Sequence, residues 1–98
     1  LAEGSSFLKS FDSLWNELNE KVKSANAANS ENSSTLKALD QGTHFIAKKV
    51  IEEAGEVMLA AESQGKDELA VEISQLLYWI QVLMIDKKLT LDDVYRRL

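Results

Sequence analysis

Ninety-eight residues, 45% of them hydrophobic and 28% charged, describe one ordinary globular domain over 1–98 and exclude fibrous and disordered classes. Sixteen acidic against eleven basic residues leave a net charge of −5, which argues against nonspecific affinity for nucleic acid or anionic membrane. Without cysteine there are no disulfides, thiolate metal sites or cysteine nucleophiles.

The first predicted element is a helix over about 6–24. Phe7, Leu8, Phe11, Leu14, Trp15, Leu18 and Val22 fall within an arc of roughly 120° at helical spacing, with Ser5 or Ser6 as its cap. The stretch "SANAANSENSS" at 24–34 is small, polar and rich in Asn and Ser. It is a flexible loop, either a plain connector or a segment that orders on a substrate.

Helical periodicity returns from about Thr35 to Gln64 and stops at Gly65. Gly42 predicts a kink, and Gly55 a close helix contact, since glycine in a helix interior costs about 1 kcal/mol relative to Ala. A third helix is predicted from about Lys66 to Lys87. Between Ile73 and Ile85 all but Ser74, Gln75 and Gln81 are apolar, a run too short to span a bilayer. A helix apolar nearly all round must be covered nearly all round, which a chain this short cannot do alone. A symmetric homodimer is therefore expected. "LTLDDVYRRL" opens a short fourth helix, with Thr90 and Asp93 at capping-box spacing.

No strand pattern competes. The predicted fold is all-α, a helical bundle of three long helices plus a short C-terminal one, whose four-helix-bundle core is completed by homodimerisation. With no secretory signal pattern in the sequence, a cytoplasmic location is expected.

"VIEEAGEV" at 50–57 places acids inside an apolar segment. On a helical wheel with Val50 at 0°, Ile46, Ala47, Ala54, Val57, Met58, Ala60 and Ala61 occupy roughly −80° to +80°; Glu53 lies near −60°, inside that arc. Glu56 falls at its edge and Glu52 further towards solvent. On the third helix Leu69, Ile73, Leu76, Leu77, Ile80, Leu83 and Met84 define the predicted buried side. Glu72 lies between Trp79 and Leu83, with Gln75 at the edge.

Each helix thus carries an inward Glu with a polar neighbour three residues on. Two unpaired carboxylates in an apolar seam would cost several kcal/mol each or protonate. Antiparallel packing would bring the pairs together around a divalent cation, and hard oxygen donors suit Mg²⁺ or Mn²⁺. For Glu52 an alternative is pairing on a solvated face with Lys48, Lys49 or Lys66. Lys48 and Lys49, one turn before the acids, are either surface lysines or phosphate contacts. His44 is the single histidine, which argues against a histidine-ligated zinc site.

"EEAGE" at 52–56 followed by "EISQ" at 72–75 resembles the EExxE…ExxD signature of the all-α nucleotide pyrophosphohydrolases, the MazG-like superfamily. With "STLKALDQG", "KKVIEEAGEVMLAAE", "EISQLLYW" and "LTLDDVYRRL", the chain is most similar to the phosphoribosyl-ATP pyrophosphohydrolase family of histidine biosynthesis. The resemblance implies Mg-assisted attack of water on the triphosphate of phosphoribosyl-ATP, giving phosphoribosyl-AMP and pyrophosphate. It implies metal ligands at Glu53, Glu56 and Glu72, with Glu52 as a further acidic contributor, and a homodimer. The family's fourth ligand, usually Asp, falls on Gln75, which can ligate but carries no charge. Glu52 or Glu56 would activate the water, and Lys37, Lys48 and Lys49 would contact phosphates. Two other readings stand beside this one: a housecleaning hydrolase of free nucleoside triphosphates, and a non-catalytic helical interaction module in which Gln75 marks a lost site.

Overall fold

A computed structural model describes residues 9–26 and 33–98. Ser5, Ser6, Phe7 and Leu8, and most of the 24–34 loop, lie outside the described residues. Helix α1 is Phe11–Lys23. Its cap is Ser10: the Ser13 amide donates to Ser10 Oγ at 3.0 Å, and the Ser10 amide donates to Ser13 Oγ at 2.8 Å. This reciprocal box satisfies two amides at the helix start.

The predicted 35–64 helix is two helices, α2 (Ser34–Gln41) and α3 (Thr43–Ser63). Gly42, at φ 100° and ψ 177°, adopts a conformation that residues with a Cβ essentially never take. Its amide donates to Ala38 O at 3.3 Å, ending α2, and its carbonyl accepts from the Ile46 amide at 3.2 Å, opening α3. The expected kink is a full break. It frees α2 to lay Thr35 and Ala38 into the core, where the Thr35 and Tyr78 hydroxyls share a hydrogen bond.

Helix α4, Lys66–Asp86, follows α3 after only Gln64 and Gly65 and packs back along it as an antiparallel hairpin. It ends in a Schellman motif: Leu89 N–H donates to Met84 O at 2.9 Å, and Lys88 N–H to Ile85 O at 3.1 Å, with Lys88 at φ 59°. Helix α5 is Leu91–Tyr95, opened by the predicted Thr90–Asp93 box. The short element is tied to the start of α1 by the Tyr95 hydroxyl on Asp12 and by the Phe11 and Tyr95 rings, 6.4 Å apart.

The core gathers Leu18, Ala38, Ile46 and Val82, with Leu14, Leu39, Tyr78, Trp79, Leu83 and Ile85 packed on it. All of these lie at one end of the hairpin. Gln81, predicted only as a polar break in an apolar run, is fully buried and donates from Nε2 to Phe11 O at 2.7 Å. That bond fixes the start of α1 on α4. Among the described residues the fold is all-α, with five helices because Gly42 divides one.

The wheel arcs need correcting. Ile46 and Ala60 are buried, but Ala54, Met58 and Ala61 from the same predicted arc are exposed, as are Ile73 and Leu77 on α4. Each long helix has two apolar flanks, and one chain covers only the flank between them. Gly55 makes no close contact: a Cβ there would meet nothing within 4 Å. By length and composition α4 could also cross a bilayer, contrary to the sequence reading. Its packing on α3 and a half-buried glutamate at its first third give it instead the character of a bundle helix.

Candidate active site

The hairpin brings Glu53 of α3 and Glu72 of α4 together. Both are half-buried, and each carboxyl group is close enough to feel the charge of the other. Partial burial raises the Glu53 pKa above the ordinary carboxylate value; the charge of Glu72 adds to the rise, Lys49 opposes it, and Glu56 contributes a smaller push upward. Two acids compete here for one place with too little positive charge nearby.

The remaining predicted residues are distributed around this pair. Glu56, one turn further along α3, is exposed and close enough to act on Glu53 electrostatically. Glu52 points to solvent and accepts Lys49 Nζ at 3.4 Å, so its solvated-face pairing is present. Lys49 lies over the Trp79 ring, 5.6 Å from the centroid. Lys37, Lys48 and His44 are exposed. Gln75 is exposed and lines a cleft of about 520 Å³ with Lys9, Leu14, Lys21, Thr35 and Tyr78. None of Glu53, Glu56 or Glu72 lines that cleft.

Among the described residues no three acidic or histidine side chains converge as a preformed metal cage. Glu53 and Glu72 nonetheless fit a magnesium ion. Mg²⁺ is commonly held by one or two carboxylates, with water and substrate phosphates completing its octahedron. The raised proton affinity of Glu53 marks a place where added positive charge is favourable.

Sequence reasoning treated Trp79 only as an apolar residue beside Glu72, although its spacing of two helical turns from Glu72 already placed it on the same face. Its contact with Lys49 needed the interhelix geometry.

An all-α hairpin that opposes two carboxylates with a lysine nearby is compatible with one class in particular, the all-α hydrolases of phosphoric anhydrides, and the sequence comparison shows that class. The chain belongs to the phosphoribosyl-ATP pyrophosphohydrolase family, whose sequence model matches residues 15–98. It hydrolyses phosphoribosyl-ATP to phosphoribosyl-AMP and pyrophosphate in histidine biosynthesis. The match contains every candidate acid and lysine from Lys37 to Gln75.

Proposed function

We propose that this hydrolysis takes place at the Glu53–Glu72 pair, with Mg²⁺, replaceable by Mn²⁺, held between the two carboxylates. The observation that carries the reading is the opposition of two half-buried acids, with burial first and the charge of Glu72 second raising the Glu53 pKa. When bound there, the ion would polarise phosphate oxygens and offset the charge that develops as the anhydride breaks.

The chain's own residues do the rest. Glu53 and Glu72 would hold the ion, leaving its other positions open to the triphosphate. Glu56, exposed on the next turn, accepts the proton of the attacking water. Glu52 is occupied by Lys49 and serves as its tether. Lys49 meets a phosphate of the substrate, and Lys48 and Lys37 add positive charge at the rim. Gln75 faces the neighbouring cleft and stays outside the ion's shell.

The exposed apolar flank of the hairpin supports a homodimer. Ile51 is 73% exposed and Met58 58% exposed, with Leu59, Val71, Ile73 and Leu77 also open. Leaving this much apolar surface on one hairpin in water is unfavourable, and a second copy of the hairpin would complete a four-helix bundle. The metabolic role supports a cytoplasmic location.

Product analysis with phosphoribosyl-ATP, with and without Mg²⁺, tests the proposal. Turnover that survives exhaustive chelation would reject the ion. Glu53→Gln and Glu72→Gln are each expected to lower kcat by about 100-fold or more, since each removes a ligand and its charge. A fully active variant would move the site elsewhere. Gln75→Asp separates the two placements of that residue: Mg²⁺ affinity within about twofold of the parent agrees with the cleft position, whereas a gain of about tenfold or more would put position 75 in the shell.

A further inference from the structure

We propose that Trp79 is a positioning residue for the reaction: its indole face holds the Lys49 ammonium on the Glu53–Glu72 side of α3, where it meets a substrate phosphate. The inference rests on the reading of Lys49 as a phosphate contact and adds the device that aims it.

A lysine is a point charge on a four-carbon stem and can reach several places from one backbone position. Here two attractions act on it together. Glu52, at 3.4 Å, tethers the ammonium from the solvent side, but ion pairs of this kind are weak and easily exchanged. The Trp79 ring, with its centroid at 5.6 Å, lies within the reach of about 6 Å over which an aromatic face attracts a cation.

The antiparallel hairpin explains why this ring is in the right place. Lys49 lies one turn before Glu53 on α3, and Trp79 lies two turns after Glu72 on α4. In an antiparallel pair, moving back along one helix is moving forward along the other. Both residues therefore sit on the core side of the acid pair.

The indole is itself held. Phe45, one turn before Lys49, packs against it in a T-shaped arrangement at 6.2 Å and 71°. Tyr78 does the same at 5.2 Å and 79°, and the Tyr78 hydroxyl is fixed by Thr35 of α2. Leucine could fill much of that space, but it offers no electron-rich face to an ammonium.

Steady-state kinetics of Lys49→Met, Trp79→Leu, Trp79→Phe and the Lys49→Met/Trp79→Leu double variant, with phosphoribosyl-ATP and Mg²⁺, test this. Lys49→Met is expected to raise KM about tenfold with kcat little changed, the signature of lost uniform binding. Trp79→Leu is expected to raise KM about threefold to tenfold, Trp79→Phe about twofold, and neither to add to Lys49→Met. If Trp79→Leu costs the same factor in the Lys49→Met background, the indole acts through packing and the proposal is overturned while the phosphate contact stands. If Lys49→Met leaves KM unchanged, the phosphate contact itself fails, and the proposal with it.

A second readout needs no substitution at Trp79. The chain has two tryptophans, so Trp15→Phe leaves Trp79 as the sole indole. Pyrophosphate with Mg²⁺ is expected to shift its emission as the ammonium held on the ring pairs with a phosphate, and Lys49→Met to abolish that shift. An identical response with and without the lysine, or none in either, overturns the proposal.

Discussion

At Glu53 the proposed chemistry and the stability of the chain pull in opposite directions. Half-buried, facing Glu72 and only partly compensated by Lys49, Glu53 has a pKa raised above the ordinary carboxylate value by burial first and the Glu72 charge second. Removing one charge should therefore stabilise the metal-free chain. Glu53→Gln is expected to raise its melting temperature by about 1–4 °C, from a repulsion of well under 1 kcal/mol between two half-buried carboxylates and the usual sensitivity of a domain this size. Calorimetry in chelator measures it, and a lower melting temperature would mean that the carboxylate makes favourable contacts now unseen. In saturating Mg²⁺ the order of the two proteins should reverse. The position of Glu53 on the buried side of α3 was readable from periodicity; its partner was inferred only by matching two wheels. Trp79 was missed because a ring that packs in a core and a ring that aims a lysine have the same spacing.

At the scale of elements, Gly42 and the Thr90–Asp93 box determine how the helices end and begin. A Cβ at Gly42 would meet nothing within 4 Å, so any penalty on Gly42→Ala comes from its φ of 100° alone. The expected loss is about 1–3 kcal/mol, seen as a lower urea midpoint at unchanged slope. An unchanged midpoint would mean that α2 and α3 can join into one helix, as the bare periodicity suggested.

The α5 box makes a pH-dependent claim. Asp93 has its pKa lowered first by the Thr90 backbone amide, then by the Thr90 side chain, with Arg96 and Arg97 helping. A carboxylate with a depressed folded pKa contributes stability that is complete above its unfolded value of about 3.9 and is lost as pH falls through the folded one. The Thr90 amide resonance should therefore hold its shift down to about pH 4 and move only below it. Asp93→Asn should remove that acid transition, and a parent resonance that titrates at the ordinary Asp value would show the cap to be open in solution. This box was legible because its two residues are three apart in sequence. The Tyr95–Asp12 and Gln81–Phe11 ties that seat α5 and α1 were not, since each joins residues far apart in the chain.

For the whole molecule the decisive feature is the uneven distribution of its core. Most buried apolar residues cluster where α1 and α2 cap one end of the hairpin, while its uncovered flank presents Ile51, Met58 and Leu77 to water. Ile51→Glu adds a charge at a position already 73% exposed, so it should leave the chain helical. It should nevertheless shift sedimentation from dimer to monomer by placing a carboxylate in an apolar interface. A variant that remains dimeric would put the interface elsewhere, and a parent that is monomeric at every concentration would remove it.

Composition and local periodicity by themselves determined that the protein is helical, where most helices lie, and that Glu53 and Glu72 stand on the inward side of theirs. Those properties are set by neighbours within a few residues, and a linear sequence records them directly. Only the tertiary structure decided that Gly42 breaks a helix outright, that Gln75 lines a cleft beside α1, that Lys49 rests on an indole, and which flank of each long helix is covered. All of these depend on the rotation and level of one helix against another, which is settled by packing across the whole chain and leaves no periodic trace in the sequence.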